Sequence, residues 1–84
     1  MNTYHVQIKI MLLKDLLDPQ GKAIQAGMHS LGLSGVVDVR VGKHITLTVT
    51  AATQDAAKEL ANDACRKILV NPVMEFFEIE KITT

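Results

Sequence analysis

The sequence predicts an α+β domain in which strands and helices alternate as βαββαβ. Three observations carry that prediction. Residues 4–11 alternate apolar and polar side chains; two further runs, 37–41 and 44–50, do the same; and two segments opening at Asp18 and Thr53 repeat apolar residues at helical spacing behind a capping residue.

In the first strand Tyr4, Val6, Ile8 and Ile10 share one side, and His5, Gln7, Lys9 and Met11 the other, which is the period of a half-buried strand. Asp18 then suits an N-cap and Pro19 the first helical position, where a missing N–H is no loss. Ile24, Met28 and Leu31 recur at helical spacing, and Gly32 is placed to end the helix in a left-handed conformation. Val37, Val39 and Val41 alternate with Asp38 and Arg40; after Gly42-Lys43, Ile45, Leu47 and Val49 alternate with His44 and three threonines. Two such runs joined by a Gly-X pair read as a tight β-hairpin. Thr53 caps a second helix with Asp55 in its first turn. Ala57, Leu60, Ala61, Ala64, Cys65 and Ile68 form its narrow apolar stripe. Asn71-Pro72 interrupts, and residues 74–82 form a last strand. Phe77 and Ile79 fall on one of its faces and Met74, Phe76, Glu78, Glu80 and Ile82 on the other, so a bulge or a two-sided strand is expected.

Right-handed crossovers turn this string most simply into a ferredoxin-like sandwich, a four-stranded antiparallel sheet of order 4-1-3-2 with both helices on one face. Residues 1–84 form one domain, with no linker, repeat or low-complexity tract. The other face of the sheet has no helix over it. It would carry polar residues with Met11, Met74, Phe76 and Ile82 as apolar spots, and in so small a domain self-association through that face is expected.

Nine basic and nine acidic residues cancel without forming a block, so neither nucleic acid nor an anionic membrane is expected as a partner. The apolar runs fall far short of the ~20 residues that span a bilayer. One cysteine permits no intrachain disulfide, and with no leader-like N-terminus the chain is expected in the cytoplasm.

No catalytic or metal-binding set emerges. The expected topology holds His5 and His44 roughly 20 Å apart. His29 sits on the first helix, and Cys65 lies on an apolar stripe without a histidine to activate it. Gly42-Lys43-His44 resembles the end of a phosphate loop, but Val37 stands where the leading glycine belongs and His44 where Ser or Thr does. Glu75, Glu78 and Glu80 would need a partner carboxylate across a cleft to act as acid and base, and read instead as a solvated face. The open face lacks the aromatics of RNA-binding modules, and the segment before the first helix lacks the cysteine pair of copper carriers and the arginine loop of acylphosphatases. A regulatory module that binds a small molecule remains as the alternative reading.

Three segments, "LLKDLLDPQGKAIQAGMHSLG", "VVDVRVGKHITLTV" and "CRKILVNPVMEFFEIE", together resemble the PurS family, the small subunit of the three-part phosphoribosylformylglycinamidine synthase of purine biosynthesis. The resemblance covers essentially the whole chain. It implies a noncatalytic subunit that forms dimers, can associate further to a tetramer, and holds together a glutaminase subunit, PurQ, and an ATP-dependent synthetase subunit, PurL. The resemblance implies that the complex uses ATP, magnesium and glutamine while this chain binds no cofactor. Ammonia released from glutamine would displace the activated amide oxygen of formylglycinamide ribonucleotide, so water must be kept from its path. Exposed, turn-located members of the three segments are expected to touch the partners: Lys14, Asp18, Gln20, Arg40, Lys43 and Asn71. Cap and turn geometry compete for Asp18, Pro19, Gly21, Gly42 and Pro72.

Overall fold

A computed structural model describes residues 1–84. The first alternating run forms β1 (Asn2–Leu12), and Asp18 caps α1 (Pro19–Ser30). β2 (Gly42–Ala51), α2 (Gln54–Ala64) and β3 (Glu75–Thr83) follow. β1 is the central strand of a three-stranded antiparallel sheet of order β2-β1-β3. Its inward row, Tyr4, Val6, Ile8 and Ile10, is buried beneath Ala57 and Ala61 of α2 and Cys65 directly after it. The small side chains let the helix settle close on the sheet. Thr53 caps α2, its Oγ accepting from the Ala56 N–H at 3.1 Å.

The expected fourth strand and its hairpin are corrected. Residues 36–41 run straight into β2 with neither turn nor bend and pair with no strand. Gly42-Lys43 is strand rather than turn: Gly42 pairs with Met11, and its φ is not positive, as a primed turn would need. The glycine serves close approach instead, since a Cβ there would collide with the Ile10 carbonyl and the Met11 side chain. Residues 37, 39, 41, 45, 47 and 49 keep one phase throughout, so a single long strand satisfies the same pattern as two short ones.

Only α2 covers the sheet; α1 lies off it, beside residues 36–41. Gln25 donates to the Val37 carbonyl at 3.1 Å, and a His29 ring nitrogen sits 2.8 Å from that of Val36. Gly32, at φ +85°, ends α1 as expected, with the Gly32 N–H donating to His29 and the Leu33 N–H to Met28. Helix and extended segment thus form an arm projecting from the sheet. The molecule is accordingly long and thin, 52 × 26 × 13 Å, and its radius of gyration of 16.5 Å compares with about 12 Å for a compact chain of this length.

Two smaller corrections follow from one-residue insertions. α2 closes in a π-helical turn, Cys65–Leu69, with the Val70 N–H donating to the Cys65 carbonyl at 3.0 Å. The extra residue carries the apolar stripe on to Val70, which is buried, and leaves Ile68 80% exposed. In β3 the register slips between Gln7 and Ile8, so that Lys81 opposes Gln7 and Ile79 opposes Ile8. This bulge turns Ile82 onto the core side, where it packs against the buried residues, and removes it from the self-association face.

Candidate functional site

The base of the arm is a lock made by two charged side chains. Asp18 is 3% exposed and serves two donors, the Gly21 N–H at 2.8 Å and the Val41 N–H at 2.7 Å. The first caps α1 and the second fastens the helix start to the head of β2. These two bonds, Val41 first, hold the Asp18 carboxyl below the usual carboxylate range. Gly21 lets the helix come this close, because a Cβ there would collide with the Val39 carbonyl. Arg40 reaches from the other side, donating to the carbonyls of Leu13 and Leu16 at 2.9 Å each. Asp18 and Arg40 are therefore engaged within their own chain.

A cleft of about 200 Å³ opens beside this lock, lined by Ile10, Leu12, Asp18, Gln20, Val41, Gly42, Lys43 and Glu75. It joins the starts of α1, β2 and β3. Three of the six residues expected to meet partners, Asp18, Gln20 and Lys43, come together here. Lys43 stands 3.3 Å from the Glu75 carboxylate, whose other oxygen accepts from the Asn71 N–H at 3.0 Å. The Asn71 N–H first, and Lys43 with it, keep the Glu75 carboxyl below its ordinary range although burial works against them. Asn71 is committed further, its side-chain oxygen accepting from the Val73 N–H at 3.1 Å. Lys14 is exposed on the β1–α1 loop, away from the cleft lining.

Glu75 also lines a second, larger groove of about 480 Å³ with Arg66, Val70, Pro72, Phe76 and Phe77. Neither Arg66 nor Glu75 stands out as a surface contact in the sequence. The only signal was the Asn71-Pro72 break, which folds the end of α2 back onto the start of β3. On the face of the sheet away from α2, Met11 and Phe76 oppose one another across the ladder, and Met74 follows at the strand end, 46% exposed. The rest of that face is polar, with Lys9 3.3 Å from Glu78 and His5 3.2 Å from Thr48.

No three side chains of His, Cys, Asp or Glu converge as a metal cage. His44 pairs with Lys9 and His5 with Thr48, so the two histidines stand four steps apart along the sheet, about 14 Å rather than the expected 20 Å. Cys65 is fully buried and desolvation raises its thiol pKa, which keeps it in the unreactive protonated form. The cleft beside the lock offers a partner charge, hydrogen bonding and an apolar floor at Ile10, Leu12 and Val41. No helix is long and apolar enough to cross a membrane.

Comparison with known proteins agrees on one family. The family model PurS, described as phosphoribosylformylglycinamidine (FGAM) synthase, matches residues 5–83. The PurS subunit of Synechocystis is 38% identical over 94% of this chain and 79% of its own length, and that of Bacillus subtilis is 38% identical over 92% and 90%. Among solved structures, Thermus thermophilus PurS superposes with a TM-score of 0.88 at 35% identity, covering 99% of this chain and 98% of its own. A chain of the PurLQS structure from Thermotoga maritima does so with a TM-score of 0.88 at 31% identity, covering 95% and 98%. With the arm included in those overlaps, the chain belongs to the PurS family of phosphoribosylformylglycinamidine synthase subunits.

Proposed function

We propose that this chain is the noncatalytic subunit that joins a PurQ-type glutaminase to a PurL-type, ATP-dependent synthetase, and so assists ammonia transfer in the conversion of formylglycinamide ribonucleotide to the amidine. The likeness to a chain of the Thermotoga PurLQS structure, over nearly the full length of both, is the observation that carries this reading. The surface agrees in kind: a buried inert thiol, separated histidines and a mixed-charge cleft are suited to holding proteins rather than to bond making. ATP, magnesium and glutamine belong to the other two subunits in this reading, and this chain holds no cofactor of its own. It self-associates as a dimer, with a dimer of dimers as the next step.

Gln20, Lys43 and Lys14 are the partner contacts, because they alone of the six residues named from the sequence keep their side chains free of bonds to the backbone of their own chain. Asp18, Arg40 and Asn71 act indirectly by fixing the arm and the turn on which those contacts sit. Ammonia moving through water at neutral pH is protonated and lost as a nucleophile, so the joining of two active sites is itself a chemical contribution.

The test is reconstitution from purified subunits. Glutamine-dependent amidine formation should require this chain, whereas a high concentration of ammonium salt at alkaline pH should relieve the requirement. A requirement that persists undiminished with free ammonia present would place the role in the synthetase reaction instead. A metabolite that raises the melting temperature of the isolated chain, with no binding to either subunit, would favour a small-molecule regulatory module.

A further inference from the structure

The groove between the end of α2 and the start of β3 holds one cation, Arg66, and no anion free to meet it. The ion pairs of the chain are Lys9 with Glu78 and Lys43 with Glu75, so the Arg66 guanidinium stands without a carboxylate. Glu75 lines the same groove, but one of its oxygens accepts from the Asn71 N–H and the other faces Lys43. The rest of the lining is apolar: Val70, Pro72, Phe76 and Phe77. Arg66 belongs to the π-helical turn Cys65–Leu69, and insertions of this kind recur at functional sites. Between the lining residues Pro72 and Glu75, Val73 and Met74 add exposed apolar surface, Val73 at 79%. Contiguous apolar surface rimmed by charge is the mark of an interaction site. Glu75 is also a wall of the cleft that holds Lys43 and Gln20, so the two surfaces are continuous.

We propose that this groove receives a segment of an enzyme subunit in which an apolar side chain stands next to a carboxylate, the apolar group on the Phe77 side and the carboxylate on Arg66. This rests on the bridging role proposed above and gives it a second contact surface beside the Lys43 cleft. Charge complementarity selects the occupant. Arg66 calls for an anion, because Glu75 is already spent on Lys43 and Asn71. An anion alone would leave the apolar lining in water, and an apolar group alone would take water from the guanidinium without replacing it. An Asp or Glu beside a Leu or Phe in a peptide satisfies both, with the guanidinium fork gripping the carboxylate through two N–H groups. The volume of about 480 Å³ accommodates such a pair of side chains, since sites for small ligands begin at about 300 Å³. Arginine and aromatic anchors in a desolvated pocket are also the residues that carry most of the binding energy in protein interfaces.

Binding titrations and fluorine NMR test this together, with the purified synthetase and glutaminase subunits as the probes. Arg66 is exposed, so Arg66→Gln should keep its circular dichroism. It should weaken binding to one of the two subunits about tenfold, the loss expected for one charge-assisted contact. Lys58→Gln makes the same change of charge on an exposed position of α2 outside the groove and should change that affinity less than twofold. The two phenylalanines of the chain both line the groove, so para-fluorophenylalanine labelling reports on it alone. At least one of the two signals should move when that subunit is added to the native chain. A native chain that binds while both signals stay in place, or for which Arg66→Gln and Lys58→Gln act alike, would overturn the groove and leave the bridging role standing. A native chain that binds neither subunit would overturn both. If Arg66→Gln lowered the sedimentation mass of the isolated chain, the groove would be a contact between copies, and the proposal would fall.

Discussion

Asp18 and Val41 lie 23 positions apart in sequence and are joined by a 2.7 Å hydrogen bond from the Val41 N–H to the Asp18 carboxylate. Through it the residue that caps α1 also decides where β2 begins. Asp18→Asn keeps one acceptor oxygen for two donors, and Asp18→Ala keeps none. The melting temperature should fall by roughly 4–8 °C for the first and further for the second. The pH dependence has a definite sign. The folded pKa of Asp18 is lowered, so its stabilising contribution is complete above the unfolded carboxylate value and is lost as pH falls through the folded one. Denaturant titrations should show native and Asp18→Asn proteins farthest apart at neutral pH and converging below about pH 4.

Two glycines of one helix should respond oppositely to alanine. At Gly21 the new Cβ would collide with the Val39 carbonyl, whereas at Gly27 nothing lies within 4 Å. Gly21→Ala should cost about 1–3 kcal/mol despite alanine's better helix propensity, and Gly27→Ala should gain about 0.5–1 kcal/mol. Equilibrium unfolding in urea reads both. Equal effects at the two sites would refute the close contact at Gly21.

Arg40 and Lys43 sit three residues apart and should separate stability from assembly. Arg40→Ala leaves the Leu13 and Leu16 carbonyls without their donors and should lower the melting temperature by several degrees. Lys43→Gln loses an ion pair in which the lysine is largely exposed and the Glu75 side chain is not, worth about 1 kcal/mol, and removes the cation from the cleft. Its deficit should appear chiefly in co-purification with the synthetase and glutaminase subunits and in glutamine-dependent activity, with melting lowered less than in Arg40→Ala.

The π-helical turn makes a counterintuitive pair. Ile68 fits the apolar spacing of α2 but is exposed, and Val70 does not fit it but is buried. Ile68→Ser should therefore be near neutral in stability, and Val70→Ala should cost about 2 kcal/mol. Calorimetry on the two variants checks which residue the core uses.

The elements were legible in the sequence where local chemistry decides them: the alternation of β1, the Asp18 and Thr53 caps, the left-handed Gly32. The errors arose where one local pattern serves two tertiary arrangements. Valines at 37, 39 and 41 suit a separate strand or an extension of the next one, and only the close approach of Gly42 to β1 distinguishes them. Helical spacing in α1 tells which side chains share a stripe but not what that stripe meets, and here it meets no sheet of its own chain. The bulge in β3 shows in the sequence as the broken alternation of residues 74–82, though its exact place does not, while the extra residue after α2 shifts the stripe by one and leaves no mark in the helical spacing. Gln20 and Lys43, expected at turns of the family segments, do line one cleft, Lys43 from within β2 rather than from a turn, while the inward turn of Arg40 depends on two loop carbonyls that no motif announces.

An arm that leaves the sheet has a thermodynamic consequence for the isolated chain. Only eleven of 84 residues are buried, a thin core from which to offset the conformational entropy of ordering the rest. Any surface that the arm covers in an assembly adds to the folding free energy by mass action. The melting temperature should then rise with protein concentration, and the chain should be most susceptible to proteolysis when it is dilute or in excess over the subunits that bind it. Supply of the subunit and completion of its fold become one regulated quantity.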